Sequence, residues 1–146
     1  MTYFWDLDNN GSYETEGINP TFSAAGLDGP TSATVGLQVC DPLEDYSNNV
    51  ATATININNA PPEIQEVGNT CPVDPDEAVA IYVVASDVID PITYAFDCDN
   101  DNNFEVGPQA GNAAACSFSV PGAYMVNVKV EDDDGGVATG STIVQV

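Results

Sequence analysis

Hydrophobic and polar residues alternate with a period of two wherever this chain shows a clear pattern. The alternation is plain in segments such as "ATATININ", "AVAIYVVAS" and "STIVQV", which are rich in Val, Ile and Thr. Gly, Pro, Asn and Asp are concentrated between such segments. Period-two alternation is typical of strands, and no segment shows the apolar stripe of an amphipathic helix. The sequence therefore predicts an all-β protein built from short strands.

The chain contains an internal repeat. "YFWDLDNNGSYE", residues 3–14, aligns without a gap on "YAFDCDNDNNFE", residues 94–105, and Pro30 and Val35 align with Pro121 and Val126 at the same offset of 91 residues. Further along, the two copies no longer align at this offset, because the loop "DPLEDYSNN" of the first copy is longer than "DDDGG" of the second. Loops tolerate such insertions. We therefore predict two copies of one domain, residues 1–59 and 60–146, joined by "NNAPPE", whose prolines favour an extended connection.

The two copies differ in completeness. About 33 residues, including "AVAIYVVAS", precede "YAFDCD" in the second copy, whereas only Met1 and Thr2 precede "YFWDLD" in the first. We expect the first domain to begin at its third strand, and a sandwich without its first two strands exposes a core face and strand edges. Two explanations remain open: the sequence is a fragment of a tandem array, or a neighbouring subunit donates a strand.

The charge balance narrows the possible functions. The chain has 23 acidic residues against the single basic residue Lys129, and a formal net charge of -22. Nucleic acid is therefore not an expected partner, because phosphate binding needs clustered Lys and Arg. With no His and no Arg, catalysis is not expected either, although carboxylates alone can hydrolyse glycosides. Divalent cations or high salt would relieve the self-repulsion.

The sequence also bears on localisation. It contains no apolar run of the roughly 18 residues that a membrane span needs, so membrane insertion is not expected. The start "MTYFWDLD" has neither the basic flank nor the apolar stretch of a signal peptide. We therefore expect a piece of a longer secreted chain, or a processed product, that lies outside the cell or at its surface.

Oxygen-bearing residues occupy alternate positions in both copies of the repeated segment. They are Asp6, Asp8, Asn10, Ser12 and Glu14 in the first copy and Asp97, Asp99, Asp101, Asn103 and Glu105 in the second. Ca²⁺ takes six to eight oxygen ligands, which alternate residues supply when a loop wraps around the ion. Gly11 permits the sharp bend, and Asn102, its counterpart, is the kind of residue that best tolerates a left-handed conformation after Gly.

Two other interpretations of these loops exist. Asn- and Asp-rich segments also make ordinary turns through their own side-chain hydrogen bonds. Asn10 also begins the glycosylation sequon "NGS", where a sugar would compete with metal ligation. The recurrence of one spacing in both copies favours Ca²⁺, because Mg²⁺ demands tighter geometry and Zn²⁺ prefers His and Cys ligands.

Several motifs resemble those of the PKD domain, an immunoglobulin-like β-sandwich that occurs in tandem in secreted and cell-surface proteins. "YFWDLDNNG" and "YAFDCDND" are similar to its aromatic-Asp turn, and "PGAYMVNVKVEDDDGG" is similar to its closing "PGxYxVxVxVxDxxGG" signature. The resemblance implies two immunoglobulin-like sandwiches in tandem, the first lacking its N-terminal strands. In the commonest family turn, Trp-Asp-Phe-Gly-Asp-Gly, the Phe-Gly-Asp portion is replaced here by acidic and Asn-rich residues, which favours cation binding.

Two of the four cysteines correspond to apolar residues of the first copy. Cys98 and Cys116 align with Leu7 and Ala25. Strand alternation places Cys98 on the core face, as in the cross-sandwich disulfide of immunoglobulin domains, so we expect it to pair with Cys116. Closing this loop would contribute about 3 kcal/mol and implies an oxidising compartment.

The other two cysteines allow alternatives. Alternation places Cys40 on the outward face of its strand, since Leu37 and Val39 take the inward face. Cys40 and Cys71 could bridge across the domain junction, or each could pair with a residue outside this chain. A bridge requires a Cα separation below about 7 Å.

Together these features predict a non-catalytic extracellular structural or adhesive module, stiffened by Ca²⁺ and disulfides. It would be part of a tandem array, or a filament subunit completed by strand donation, with neighbouring repeats or subunits as partners. The alternative is an accessory module of a secreted hydrolase that binds an insoluble polymer through exposed aromatics such as Phe4 or Tyr46. No pair of acids is marked out for catalysis by an environment that would separate their pKa values.

Overall fold

The computed structural model of the protein describes residues 1–43 and 45–146. These residues form antiparallel strands and no helix, so the predicted all-β class is confirmed. They divide into two compact units, Met1–Asn59 and Ala60–Val146, which we call unit 1 and unit 2.

Unit 2 is a sandwich of two sheets. Its strands are β5 (Glu63–Asn69), β6 (Ala78–Ser86), β7 (Thr93–Asp97), β8 (Val106–Gln109), β9 (Ala113–Ser117), β10 (Ala123–Glu131) and β11 (Val137–Gln145). One sheet has the order β11-β10-β7-β8 and the other the order β5-β6-β9. The alternate apolar residues that the sequence pattern marked turn toward each other between these sheets.

The core of unit 2 is formed by residues of both sheets with no solvent exposure. β6 and β10 each contribute three alternate apolar residues and β7 contributes an aromatic ring: Val79, Ile81, Val83, Val126, Val128, Val130 and Phe96, all 0% exposed. Burying each of these side chains stabilises the fold by about 1.5–3 kcal/mol before entropy is counted. Phe118 stacks on Tyr124 at the edge of this cluster, with ring centroids 4.3 Å apart.

Unit 1 has one sheet among its described residues. Its strands are β1 (Thr2–Asp6), β2 (Thr15–Glu16), β3 (Thr31–Cys40) and β4 (Ala51–Ile57), in the order β2-β1-β3-β4. Asp6 of β1 lies opposite Gly36 of β3, and Asp97 of β7 lies opposite Asn127 of β10. The two strand pairs therefore share one register, displaced by 91 residues.

The described part of unit 1 contains no counterpart of β5, β6 or β9. Residues 22–26, which align with β9, form no strand. In unit 2, β9 is hydrogen-bonded to β6. Because unit 1 has no strand in the position of β6, residues 22–26 have no neighbour with which to pair.

The environment of Cys40 differs from the sequence expectation. Cys40 lies opposite Thr2, on the face that also carries Phe4 and Gln38, which is the outward face that we predicted. It is nevertheless only 6% exposed. Tyr46 forms an isolated bridge with Cys40 and its ring lies 5.9 Å from that of Phe4, so the loop after β3 folds back over this face.

A truncation in the core of unit 2 tests this packing. We expect Phe96→Ala to lower the free energy of unfolding by about 3–5 kcal/mol, because it leaves a cavity between the sheets. Denaturant unfolding followed by far-UV circular dichroism measures the change. Ile143→Ala, at a side chain that is 54% exposed, is the control and should change stability by less than about 0.5 kcal/mol. Equal losses for the two variants would contradict the assigned core.

Candidate functional site

Two acidic loops follow β1 and β7, and both begin with a buried aspartate. Asp6 is 2% exposed and Asp97 is 0% exposed. A buried carboxylate is costly unless hydrogen bonds replace its hydration. Both side chains receive such bonds from the backbone of the loop that follows them.

The buried aspartates hold the two loops in the same way. Asp97 Oδ1 accepts the backbone N–H of Asp101 at 3.2 Å, and Asp97 Oδ2 accepts that of Asn102 at 3.0 Å. In unit 1, Asp6 Oδ1 accepts from Asn10 N at 3.1 Å and Asp6 Oδ2 from Gly11 N at 2.9 Å. Each carboxylate therefore satisfies two consecutive amides and bends the chain around itself.

The bend uses left-handed backbone conformations at matching positions. Gly11 has a φ of 91° and Asn102, its counterpart, has a φ of 69°. Asn9 and Asn100 also match, with φ values of 56° and 61°. The prediction that Asn102 can take the conformation of the glycine is confirmed, as expected for the residue type that visits this region most readily after Gly.

The loop of unit 2 brings four carboxylates together. One oxygen from each of Asp97, Asp99, Asp101 and Glu105 lies within 4.8 Å of the others. Asp97 is buried and the other three are exposed. Glu105 Oε2 also accepts the backbone N–H of Cys98 at 2.8 Å, which ties the end of the loop to its beginning. Hard divalent cations prefer such clusters of oxygen ligands, so these residues could hold a metal ion.

The remaining predicted ligand of this loop has a structural contact. The backbone N–H of Asn103 donates to Asp101 Oδ1 at 2.7 Å. This bond is of the Asx-turn type, which is the alternative to metal binding for these loops. Turn hydrogen bonds and clustered carboxylate oxygens therefore coexist in one loop.

Asp6, Asp8 and Glu14 of unit 1 do not form a comparable carboxylate group within the described residues. Asn10 Nδ2 donates to Asp8 Oδ2 at 2.8 Å, and Asn10 Oδ1 accepts from Ser12 N at 2.7 Å. The side chain of Asn10 is therefore engaged with Asp8 and with the backbone of Ser12, and alternate spacing alone does not cluster the carboxylates of this loop.

One substitution in the neighbouring strand distinguishes the two loops. Asn127 Nδ2 donates to Asp97 Oδ2 at 3.3 Å and to Asn100 Oδ1, which links β10 to the loop of unit 2. The counterpart of Asn127 is Gly36, which has no side chain to donate. The hydroxyl of Tyr13 lies 3.2 Å from the position that a Cβ at Gly36 would take.

The pKa values of two carboxyl groups in the unit 2 loop shift in opposite directions. Burial raises the pKa of Asp97, but the hydrogen bonds from Asn127 and from backbone N–H groups of the loop outweigh it, so the net shift is downward. Desolvation, followed by the charges of Asp101 and Glu105, raises the pKa of Asp99. Ionised Asp97 thus stabilises the fold at neutral pH, and this contribution is lost as the pH falls through its lowered pKa.

A second acidic group in unit 2 was missed by the sequence analysis. One oxygen from each of Asp90, Asp133 and Asp134 lies within 4.8 Å of the others. Asp132, which is 6% exposed, accepts the backbone N–H groups of Asp134 and Gly136 at 3.0 and 2.7 Å. Residues 131–134 form an acidic run that is visible in the sequence. Their proximity to Asp90 in space, however, depends on the pairing of β7 with β10.

The predicted disulfide between Cys98 and Cys116 is formed, with a Cα separation of 5.8 Å. It joins the end of β7 in one sheet to β9 in the other. Cys40 and Cys71, for which a bridge across the domain junction was one of two alternatives, each have a contact within their own unit. Cys40 Sγ donates to the carbonyl oxygen of Asp41 at 3.4 Å, and Cys71 Sγ lies 4.0 Å from that of Ile143.

A membrane-spanning helix is not found in residues 1–43 and 45–146. No family model matches the chain. No curated protein matches it either.

Solved structures show what the fold resembles. The PKD domain of a peptidase from a Thermoplasmatales archaeon matches 60% of this chain and 97% of that domain, with 22% identity and a TM-score of 0.50. The PKD1 domain of Vibrio anguillarum Epp matches 60% of this chain and 95% of its own, with 24% identity and a TM-score of 0.46. Fibronectin(III)-like modules of Clostridium thermocellum CbhA match 99% of this chain and 77% of theirs, with 16% identity and a TM-score of 0.47. Over the matched 60% of the chain, the fold is therefore a PKD-like β-sandwich, as the motifs predicted.

Removal of the buried carboxylate tests how the unit 2 loop is held. We expect Asp97→Ala to lower the free energy of unfolding by about 2–3 kcal/mol, because it leaves the amides of Asp101 and Asn102 without their acceptor. Chemical denaturation in calcium-free buffer measures this loss. Asp99→Ala, which removes an exposed carboxylate two residues away, is the matched control and should stay near the parent stability. A smaller loss for Asp97→Ala than for Asp99→Ala would contradict the assigned role.

Proposed function

We propose that this chain is a non-catalytic extracellular structural module in which the unit 2 loop binds Ca²⁺. The observation that carries the proposal is the convergence of Asp97, Asp99, Asp101 and Glu105, with their oxygens within 4.8 Å of one another. Four adjacent carboxylates repel one another, and a bound divalent cation removes that repulsion. Ca²⁺ suits such a site because it accepts flexible oxygen coordination completed by backbone oxygens and water.

Ca²⁺ would act mechanically in this module. The loop begins at β7, whose Phe96 is fully buried, and continues past Cys98, which is bonded to Cys116 in the opposite sheet. An ion held by the loop would therefore brace one end of the sandwich against both sheets. A module stiffened in this way suits a tandem array, stalk or filament outside the cell, where disulfides persist. Its partners would be neighbouring repeats or subunits.

Unit 1 retains the same loop backbone with a weaker set of ligands. We propose that Asp6, Asp8, Asn10, Ser12 and Glu14 form a site of lower affinity, because Asn10 and Ser12 stand where unit 2 has Asp101 and Asn103, and because the remaining carboxylates are not clustered. The charge count of a site is one of the factors that sets calcium affinity. Any response of the chain to Ca²⁺ should therefore come first from unit 2.

Thermal unfolding with and without Ca²⁺ tests the proposal. At a Ca²⁺ concentration one hundred times the Kd, binding to the folded state should stabilise unit 2 by about 2.7 kcal/mol and raise its melting temperature. Asp99→Asn combined with Asp101→Asn should remove this response. Glu63→Gln combined with Asp74→Asn removes the same charge from exposed positions outside the loop and should preserve it.

The control pair separates specific binding from general screening of the net charge of -22. Equal melting temperatures in Ca²⁺ and in EDTA would contradict the metal proposal. A calcium response that the loop variant retains in full would do the same.

A second candidate function is that of an accessory module that binds an insoluble polymer. The supporting observation is the aromatic pair on the outward face of unit 1, where Phe4 and Tyr46 have ring centroids 5.9 Å apart and Tyr46 is 55% exposed. Exposed rings of this kind supply contact area for sugar or peptide chains. A peptidase is among the proteins whose PKD domain has a similar fold.

Sedimentation with insoluble cellulose and chitin tests this second candidate. If Tyr46 contacts the polymer, Tyr46→Ala should weaken retention roughly fivefold, as expected for the loss of one aromatic contact. Tyr82→Ala, which removes a tyrosine from unit 2, is the control and should leave retention unchanged. No retention of the parent chain on either polymer would count against this candidate.

A further inference from the structure

A polar cavity of about 500 Å³ lies on the outer face of the β11-β10-β7-β8 sheet in unit 2. The loop that follows β7 lines one side of it, and strands β10 and β11 line the other. Ligand-binding cavities in proteins usually enclose about 300–1,000 Å³, so this one has room for a small molecule. The lining side chains that are not fully buried are Asn100, Asn102, Phe104, Asn127, Thr139 and Ser141.

The loop after β7 presents two different faces. Its odd-numbered positions carry the oxygen ligands of the proposed calcium site. The even-numbered positions Asn100, Asn102 and Phe104 line the cavity, and the three exposed carboxylates of the loop are not among the lining residues. Asp97 lies beneath the cavity and is 0% exposed. The lining residues, all within the described part of the chain, therefore offer amides, hydroxyls and a ring but no exposed carboxylate.

Hydrogen bonds hold the loop side of the cavity against its floor. Asn127 Nδ2, from β10, donates to Asn100 Oδ1 and to Asp97 Oδ2. Asp97 in turn accepts the backbone N–H of Asn102 at 3.0 Å. Two of the lining amides are therefore tied to the strands before any ligand arrives. A binding site that is already ordered loses less conformational entropy when a ligand binds.

In unit 1 a tyrosine lies over the corresponding position. Gly36 stands where unit 2 has Asn127, and Tyr13 stands where unit 2 has Phe104. The hydroxyl of Tyr13 lies 3.2 Å from the position that a Cβ at Gly36 would take. The space from which Asn127 lines the cavity of unit 2 is therefore covered by a side chain in unit 1.

The lining residues determine which ligand chemistry fits. Amides and hydroxyls both donate and accept hydrogen bonds, which suits the hydroxyl groups of a sugar. An aromatic side chain beside them offers an apolar surface to the C–H side of a sugar ring. The net charge of -22 disfavours an anionic ligand. Lys129, the one basic side chain of the protein, is already paired with Glu131 at 2.8 Å.

We propose that this cavity of unit 2 binds a neutral oligosaccharide. The ring of Phe104 contacts one face of a sugar. The hydroxyls of Thr139 and Ser141 and the amides of Asn100 and Asn102 exchange hydrogen bonds with its hydroxyl groups. The site adds a binding function to the structural module. It uses neither the exposed carboxylates of the proposed calcium site nor the aromatic pair of unit 1.

Isothermal titration calorimetry of the full chain with soluble tetrasaccharides tests the proposal. Cellotetraose and chitotetraose are the neutral ligands, and tetragalacturonate, which carries a carboxylate on every sugar, is the charged one. We expect saturable binding of cellotetraose or chitotetraose at one site per chain. Tetragalacturonate should bind at least tenfold more weakly, because the field of the protein repels it.

Matched variants locate the binding site. Thr139→Val replaces a hydroxyl with a methyl group and should weaken binding about fivefold, whereas Thr54→Val makes the same change on an exposed position of β4 and should leave binding unchanged. Phe104→Ala should weaken binding tenfold or more, and Tyr46→Ala, which removes a ring from unit 1, should not weaken it. Thr139 lies on a strand outside the loop, so its variant keeps the test valid if Phe104→Ala disturbs the loop.

The saccharide proposal and the calcium proposal can fail separately. The double variant Asp99→Asn with Asp101→Asn, made to remove the calcium response, should retain saccharide binding, because neither side chain lines the cavity. Absence of binding by both neutral tetrasaccharides at millimolar concentrations would overturn the proposal. Equal binding of tetragalacturonate, or full binding by both Thr139→Val and Phe104→Ala, would also overturn it. Loss of binding in Tyr46→Ala would assign the sugar to the aromatic pair of unit 1 instead.

Discussion

The constraint on which this structure depends is that an alternating strand has an apolar face that must be covered. In unit 2, the three valines of β10 and Phe96 of β7 are covered by β6, and none of them contacts solvent. Covering them fixes β7 in place, and the end of β7 determines where Asp97 lies. The acidic loop is then built on Asp97 by hydrogen bonds to consecutive amides. Core packing thus positions the carboxylates that could hold a cation.

The two units show the effects of this constraint separately. They share strand register and loop backbone, but unit 1 lacks the covering hairpin within its described residues and keeps a partly exposed face. They also differ beside the loop, where Asn127 links β10 to Asp97 and Gly36 cannot form an equivalent link. Register and backbone hydrogen bonds are therefore sufficient to repeat the loop, whereas its group of four carboxylates includes Asp101, whose counterpart in unit 1 is Asn10.

The sequence predicted those features that depend on local pattern. Period-two alternation predicted the strands, the offset of 91 residues predicted which strands correspond, and the core-facing position of Cys98 predicted its bond to Cys116. Features that depend on the path of the chain between strands were missed. Cys40 was placed on the correct face, but its burial depends on how the loop containing Tyr46 folds back. The group of Asp90, Asp133 and Asp134 arises from the pairing of β7 with β10, which alternation alone does not specify.

A crystal structure determined in the presence of Ca²⁺, with anomalous diffraction to identify the ion, would show whether the unit 2 loop binds calcium. We expect an anomalous peak beside Asp97, with oxygens of Asp99, Asp101 and Glu105 at the calcium–oxygen distances of about 2.3–2.6 Å. An ordered unit 2 loop with the same backbone hydrogen bonds and no ion among these carboxylates at saturating Ca²⁺ would contradict it.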